Sequence, residues 1–231
     1  MKSDRKNALL AAMPAEDAAF IAAQCAAVDL PLRLTLQTPD MPITHCWFVE
    51  TGIVSIVAVL SDGEPLETGL VGYEGVVGLP ALLGAGRSPA EALVQLPGSG
   101  LRIEVDALKS AFDSRVGVRE VLLRYVQAMQ VQVSQTAACN GRHDTEQRLA
   151  RWLLMADDKY RARPMPLTQE FLSMMLGVRR QQVSIAAAIL QKAGYIQYRH
   201  GSIEILDRPG LENAACECYG VVAREFTRLL G

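Results

Sequence analysis

The chain has 231 residues, half of them hydrophobic, and a formal net charge of −2 at pH 7. Such a chain can bury the core of one large or two modest domains, and no apolar run approaches the roughly 18 to 20 residues of a membrane span. The charge is uneven, because residues 1–141 sum to −5 whereas residues 142–208 carry 11 Lys and Arg against 7 Asp and Glu. An acidic first part and a basic second part predict a nucleic-acid-binding module joined to a module of another kind.

The N-terminus and the cysteines indicate the compartment. The first 20 residues lack the long apolar core of a signal peptide, so we expect a cytoplasmic protein. Five cysteines without a C-x-x-C pair argue against a disulfide framework and against a structural zinc site, and we expect neither metal nor cofactor. The close pair Cys216 and Cys218 is interpreted as two thiols near a C-terminal helix, with a metal or redox role as the alternative.

The first domain is predicted from the glycine and proline residues that separate its β-prone runs. Residues 1–29 have helical spacing, and from residue 30 to about 103 the chain changes to short β-prone runs separated by glycine and proline. The runs cover 32–36, 47–49, 53–60, 66–71 and 92–96. Turn signals about every 8 to 12 residues are typical of antiparallel structure, so residues 1–105 are predicted to form a jelly-roll-like β-roll.

Residues 106–140 are predicted to be a dimerisation helix and hinge. An apolar stripe steps by 4, 3, 4 and 4 residues along it: Leu122, Val126, Met129, Val133 and Ala137. This spacing is nearly that of a coiled-coil seam, which would suit a dimer interface, and packing inside a monomer is the alternative. Residues 138–141, with Asn140 and Gly141, are the predicted hinge, and Asp144 is the predicted N-cap of the next helix.

Residues 141–231 contain the pattern of a winged helix-turn-helix. Thr168 is a good N-cap for a first helix, and Gly177 can adopt the positive φ of a sharp turn between two helices. The second helix opens at residues 179–182 and ends at Ala193-Gly194. Two β-prone runs, 195–198 and 202–206, follow it and are separated by the basic tip Arg199-His200-Gly201, as in a hairpin.

The start of the second helix carries the side chains that read bases in a major groove. Arg pairs with guanine and Gln with adenine through two hydrogen bonds, and the apolar Ile185 would meet a thymine methyl. Candidate base-reading and flanking residues are Arg179, Arg180, Gln181, Gln182 and Ser184. The tip residues Arg199 and His200, and Thr168 and Gln169 at the first helix, are predicted to contact phosphate. A merely solvated first turn is the alternative for the 179–182 tetrad.

This order of elements, together with LTQEFLSMMLGVRR at residues 167–180, looks like the Crp–Fnr family of bacterial transcription regulators. The resemblance covers nearly the whole chain and implies an α+β fold: a cyclic-nucleotide-binding-like β-roll, a long dimerisation helix and a C-terminal winged helix-turn-helix. It further implies a homodimer on palindromic double-stranded DNA, RNA polymerase as a partner, and control by a small-molecule effector of unknown identity.

The resemblance is partial at both sites. Family members that respond to cyclic AMP place Arg, Glu and a second Arg against bases, and the corresponding residues here are Arg180, Gln181 and Ile185. Their effector site has a Gly-Glu-Leu turn and an Arg-Ser/Thr-Ala step. This chain has Gly78-Leu79-Pro80 and Arg87-Ser88-Pro89-Ala90 instead, so Gly78, Arg87 and Ser88 are the effector candidates and cyclic AMP is not expected.

The sequence also bears on functions other than a regulator without a known effector. A cyclic-nucleotide or cyclic-dinucleotide sensor controlling the DNA-binding unit is the alternative function. Iron–sulphur sensing lacks an N-terminal cysteine cluster, and for haem only His45 is a candidate axial ligand. The three histidines, at 45, 143 and 200, have no catalytic motif around them, so an enzyme is not expected.

Overall fold

The structure is a computed structural model that describes residues 7–61, 63, 65–160 and 163–231. It begins with two short helices, α1 (Ala8–Ala12) and α2 (Ala15–Ala22), followed by strand β1 (Ala26–Leu30). The predicted helix over 1–29 is therefore wrong at its C-terminal end, and its first six residues lie outside the described part. Alanine has the highest helix propensity, but propensity is a weak determinant of structure, and antiparallel pairing of Ala26–Leu30 with a later strand overrides it here.

One antiparallel sheet forms the predicted β-roll. Its strands are β2 (Thr35–Gln37), β3 (His45–Val59), β4 (Pro65–Val71), β5 (Val76–Val77) and β6 (Ala90–Glu104), together with β1. The hydrogen-bonded path is β1-β6-β3-β4, with β2 on β6 and β5 on β3. The predicted runs 47–49 and 53–60 are two parts of the single strand β3.

Gly52 explains why the sequence of β3 reads as two runs. The register against β6 shifts between Val49 and Val54, and Gly52 has φ +88° in the middle of this irregularity. A Cβ at Gly52 would lie 2.6 Å from the Leu96 carbonyl oxygen. Only glycine fits this close approach of two strands, which marks a bulge in one continuous strand.

A short helix, α3 (Leu79–Leu82), lies between β5 and β6, and α4 (Val105–Ser114) and the 27-residue α5 (Val116–Arg142) follow β6. The predicted hinge at residues 138–141 is wrong, because α5 continues through them and ends at Arg142. The chain leaves the helix at His143, where φ is −103° and ψ is 149°. Asp144 then caps the next helix by accepting the Gln147 N–H at 2.9 Å, as predicted.

The second domain is built from α6 (Thr145–Lys159), α7 (Gln169–Leu176), α8 (Arg180–Lys192), α9 (Arg208–Ala214) and α10 (Cys218–Leu230). A three-stranded sheet, β7-β9-β8, completes it, with β7 (Met165–Pro166), β8 (Ile196–Arg199) and β9 (Ser202–Ile205). The terminal helix α10 returns to the first domain, where Phe226 meets Tyr125 of α5 edge-on. Among the described helices, none combines the length and apolar character needed to cross a membrane.

The predicted dimer stripe on α5 is divided between two faces. Leu122 is fully buried and Met129 is 9% exposed, and both belong to the core of the β-roll domain. Assigning these two residues to the dimer interface is therefore wrong, because α5 packs them against the protein's own sheet. Val126 is half-buried and Val133 is 41% exposed, so both remain dimer candidates.

A second row of side chains now defines the outward seam of α5. It comprises Leu123, Val126, Gln130, Val133 and Ala137, which step by 3, 4, 3 and 4 residues and are exposed or half-buried. This is the regular alternation of a coiled-coil seam. The dimer stripe predicted from the sequence differs from it by one residue at two positions, with 122 and 129 in place of 123 and 130.

Candidate DNA-binding interface

The helix-turn-helix forms where the sequence predicts it. Thr168 caps α7 by accepting the Phe171 N–H on its Oγ1 at 3.1 Å. Gly177 follows the last residue of α7 with φ 59° and ψ 43°, the left-handed conformation in which glycine is unstrained. The turn then leads directly into α8, so the predicted motif is confirmed.

The two faces of α8 also agree with the sequence. Its inner side is buried against the rest of the domain and consists of Val183, Ala186, Ala187 and Leu190. On the opposite side Gln181, Ala188 and Lys192 are exposed, and Ile185 is 55% exposed. An apolar side chain left this open on a helix that is otherwise well packed is suited to contact with another molecule, such as the methyl group of thymine.

The first turn of α8 separates a capping residue from base-reading candidates. Arg179 is the N-cap, and the Gln182 side-chain oxygen accepts its backbone N–H at 3.0 Å. Gln182 therefore closes the turn in the manner of a capping box. Arg180 and Gln181 keep exposed side chains at the end of the helix that would enter a groove.

Gln169 holds α7 and α8 together at this end. Its side-chain oxygen accepts a hydrogen bond from Ser184 Oγ at 2.9 Å and another from Arg180 Nε at 3.5 Å. Tyr198 of β8 lies beside the same group, and burial raises the pKa of Tyr198 even though Arg180 and a backbone hydrogen bond from Gln169 oppose the rise. The structure thus orients the Arg180 guanidinium from a neighbouring helix.

The hairpin β8–β9 is the predicted wing. Its two-residue turn has φ 48° at His200 and φ 75° at Gly201, both left-handed, as in the tight turns that match the twist of paired strands. Arg199 and His200 are exposed at the tip, and a Cβ on Gly201 would lie 3.4 Å from Thr168. The wing therefore stands next to the start of α7.

We call the surface formed by these segments the DNA-binding face. It consists of Thr168, Gln169, Arg179, Arg180, Gln181, Gln182, Ser184, Arg199 and His200. Within the described part of the chain, no carboxylate lies within ion-pair distance of its three arginines. Unpaired exposed guanidinium groups on one face are the electrostatic signature of a phosphate-binding surface.

The DNA-binding domain also packs on the β-roll. Leu66 of β4 approaches the turn of the helix-turn-helix, where a Cβ on Gly177 would lie 2.5 Å from its Cδ1. Trp152 Nε1 of α6 donates a 2.7 Å hydrogen bond to Glu67, which also accepts one from Ser55. Burial raises the pKa of Glu67 to about 7, against the opposing effect of those two hydrogen bonds. The sequence did not single out Glu67, because Trp152 lies 85 residues away from it.

Glu67→Gln is expected to make stability less dependent on pH. Between the ordinary pKa of 4.5 and about 7, the folded state keeps a proton that the unfolded state has lost, so the free energy of unfolding falls as pH rises through this window. The cost of the buried charge is complete above pH 7 and is at most about 3.5 kcal/mol, at about 1.4 kcal/mol per pKa unit. Glutamine avoids this cost and still accepts the Trp152 N–H.

Urea unfolding at about pH 4 and about pH 8 measures this effect. The variant should gain stability over the natural protein at the higher pH only. Glu104→Gln, at the exposed end of β6, is the matched control and should leave the pH dependence as it is. An equal effect of Glu67→Gln at both pH values would contradict the assignment.

The three effector candidates are not brought into one site. Gly78 and Ser88 line a cavity of about 160 Å³, and none of its ten lining residues is charged. Arg87 is exposed and is not among those residues. Sites for small ligands generally measure about 300–1,000 Å³, so this cavity is small for a nucleotide and offers no cation to a phosphate.

A β-roll, a long helix and a winged helix-turn-helix in one chain define a DNA-binding domain attached to a β-roll domain. The family model of the Crp-like helix-turn-helix domain matches residues 147–214, and this part of the chain belongs to that family. Among curated protein sequences none matches the chain.

Solved structures extend the likeness to the first domain. The chain is similar to FixK2 from Bradyrhizobium japonicum, with 20% identity, a TM-score of 0.72 and coverage of 83% of this chain and 98% of the other. It is similar to CLP from Xanthomonas campestris, described as a c-di-GMP responsive global regulator, with 17% identity, a TM-score of 0.67 and coverage of 83% and 99%. It is also similar to TTHB099, a CRP-family transcriptional regulator from Thermus thermophilus, with 20% identity, a TM-score of 0.67 and coverage of 81% of this chain and 96% of the other. The chain therefore has the fold of Crp/Fnr regulators, and the predicted α+β class is confirmed.

Proposed function

We propose that this protein is a homodimeric transcription regulator that recognises a palindromic DNA sequence. The observation that carries the proposal is the DNA-binding face, on which Arg180 and Gln181 project from the start of α8 beside an exposed basic wing. Arg180 and Gln181 read bases, with Ile185 against a thymine methyl. Thr168, Gln169, Arg199 and His200 contact phosphates and fix the orientation of the domain, and Arg179 and Ser184 flank the reading residues.

Dimerisation is inferred from the way in which such a DNA-binding face recognises a duplex. A single recognition helix reads only a few base pairs, and a two-fold dimer places a second copy about one helical turn along the duplex. The outward seam of α5 is the surface that suits this role, because it is regular, carries no charged residue and is exposed or half-buried. In this proposal the regulator works in the bacterial cytoplasm, contacts RNA polymerase and has no catalytic activity.

Control by a small molecule is proposed without cyclic AMP as the ligand. The cavity lined by Gly78 and Ser88 is small and mostly apolar, and Arg87 is not among its lining residues, which disfavours a cyclic nucleotide held as in cyclic-AMP-responsive relatives. The likeness to a c-di-GMP responsive regulator makes a cyclic dinucleotide the second candidate, bound elsewhere on the surface. A rise in melting temperature with added cyclic dinucleotide, absent with cyclic AMP, would favour it.

Selection of bound duplexes from a random-sequence pool by the purified full chain tests the proposal. We expect a two-fold symmetric motif whose half-sites are centred about 10 base pairs apart. The bound sequence should then outcompete a scrambled one by roughly 1,000-fold or more at physiological salt. Binding that ignores sequence and disappears with modest salt would overturn the proposal.

A further inference from the structure

Four potential metal ligands meet at the junction between the two domains. Cys139, His143, Cys216 and Cys218 each direct one ligand atom into a cluster in which all four atoms lie within 4.8 Å of one another. The three cysteines are at most 5% exposed, and the His143 side chain is 17% exposed. We call this group the Cys3His cluster.

Two local patterns separated by more than 70 residues build the cluster. Cys139 lies in the last turn of α5, and His143 is the C-cap residue four positions later, whose backbone N–H donates to the Cys139 carbonyl oxygen at 3.0 Å. Cys216 and Cys218 stand on either side of Glu217, the N-cap of α10. The absence of a C-x-x-C pair predicts no zinc site. That prediction misses this cluster, because α10 returns to the end of α5 only in the folded chain.

The distances fit a tetrahedral site. A zinc ion bonded to sulfur at about 2.3 Å and to nitrogen at about 2.0 Å requires ligand atoms about 3.5 to 3.8 Å apart. Cys139 Sγ lies 3.5 Å from Cys216 Sγ, and Cys218 Sγ lies 3.7 Å from His143 Nδ1. Small adjustments of the side chains would therefore complete the coordination, without movement of either helix.

The surroundings match those of a metal-bound histidine. The Nδ1 atom of His143 faces the thiols, while its Nε2 atom lies 3.3 Å from a Glu217 carboxylate oxygen. A histidine that binds metal through one ring nitrogen generally donates the other N–H to a carboxylate or carbonyl, which fixes the ring orientation. Glu217 is placed to accept that hydrogen bond.

Two buried arginines provide the balancing charge. Three thiolates around a divalent ion leave a net charge of −1, and Arg148 and Arg151 are buried cations on α6, which begins two residues after His143. Both are at most 9% exposed, and neither forms an ion pair with a carboxylate in the described residues. A buried cation without a carboxylate partner is costly unless another anion is nearby, and an anionic metal–thiolate centre would be that anion.

We propose that Cys139, His143, Cys216 and Cys218 bind one zinc ion, which joins the end of α5 to the start of α10. The ion replaces the three thiol protons, which are released to solvent on binding. α5 belongs to the β-roll domain, and α10 is the last helix of the DNA-binding domain. The bound ion therefore fixes the position of one domain on the other at the point where the chain passes between them.

Metal titration of the reduced, chelator-stripped full chain tests the site. We expect one Zn²⁺ per chain, a higher melting temperature, and thiolate-to-metal charge-transfer bands when Co²⁺ replaces Zn²⁺. Cys216→Ser and His143→Ala should lose the ion, whereas His143→Cys, which supplies a fourth thiolate, should retain it. Cys25→Ser is the matched control, because Cys25 is remote from the cluster, and it should bind one ion like the natural protein.

Glu217→Gln gives a further measurement that does not depend on losing a ligand. All four ligands remain, so the stoichiometry should stay at one while the affinity falls by roughly 10- to 100-fold. Circular dichroism of each variant establishes that it is folded before it is titrated. A reduced natural protein that takes up no metal, or uptake that is unchanged in Cys216→Ser, overturns the proposal. So does a Cys139–Cys216 disulfide that, once reduced, gives a chain unable to bind zinc. None of these outcomes bears on whether the protein recognises DNA.

Discussion

Val133→Glu is expected to convert the dimer into monomers. In a two-fold dimer the substitution places two carboxylates in the outward seam of α5, where both must lose water without a cationic partner. The cost should exceed about 3 kcal/mol per dimer, which is more than roughly a 100-fold increase in the dissociation constant. Sedimentation or light scattering across a range of concentrations measures it.

Two controls separate loss of the dimer from loss of the fold. Val133→Ala removes methyl groups without adding charge, and it should leave a dimer that is weaker by a modest factor. Met129→Glu, which the sequence stripe would have favoured as a test of the seam, instead introduces a charge next to Gly69 in the core of the β-roll domain. It should lower the melting temperature strongly, and a Val133→Glu protein that remains dimeric would show that the seam is not the interface.

Arg180→Ala is expected to remove recognition at one base pair in each half-site. The two hydrogen bonds of each guanidinium to a guanine are worth roughly 1–3 kcal/mol of discrimination. Both subunits lose this contact, so affinity for the selected palindromic sequence should fall by roughly 30- to 20,000-fold. Affinity for a scrambled sequence should change much less. Fluorescence anisotropy with both duplexes measures the two effects at a fixed salt concentration.

The wing arginine provides the comparison. Arg199→Ala removes one phosphate contact from each subunit, so it should weaken binding to both duplexes by the same factor and reduce the salt dependence by about two counterions per dimer. Arg228→Ala, which deletes an equal charge on α10 away from the DNA-binding face, is the control and should leave affinity unchanged. Equal losses on both duplexes for Arg180→Ala and Arg199→Ala would contradict the separation of reading from positioning.

These experiments rest on elements whose local sequence was sufficient to predict them. The cap at Thr168, the left-handed Gly177 and the inner face of α8 were predicted correctly, because each depends on residues within one or two turns of the chain. The turn at His200-Gly201 and the cap at Asp144 are of the same kind. The structure of a helix-turn-helix is therefore determined largely by local interactions, and the residues that form its caps and turn are close together in the sequence.

The seam on α5 shows where the local pattern is insufficient. An apolar stripe indicates only that a helix has an apolar side, as with Leu122, Val126, Met129 and Val133. The helix α5 has two apolar sides, one in the core and one along the outward seam. Which residues enter the protein's own core depends on how α5 rotates against β4, where Met129 lies over Gly69 and Gln132 bonds to the backbone of Leu70. That rotation assigns Leu122 and Met129 to the core and leaves Val126 and Val133 outside.

The sequence by itself determined the two kinds of domain, the helix-turn-helix and which side of its second helix is buried, because turns, caps and helical faces are set by near neighbours. Only the tertiary structure decided which side of α5 is outward, that Glu67 contacts Trp152, and that two cysteines from the C-terminus meet Cys139 and His143. The physical reason is the same in each case: these contacts join segments about 70 residues or more apart, or fix the rotation of one element on another, and such packing is settled by the whole core together.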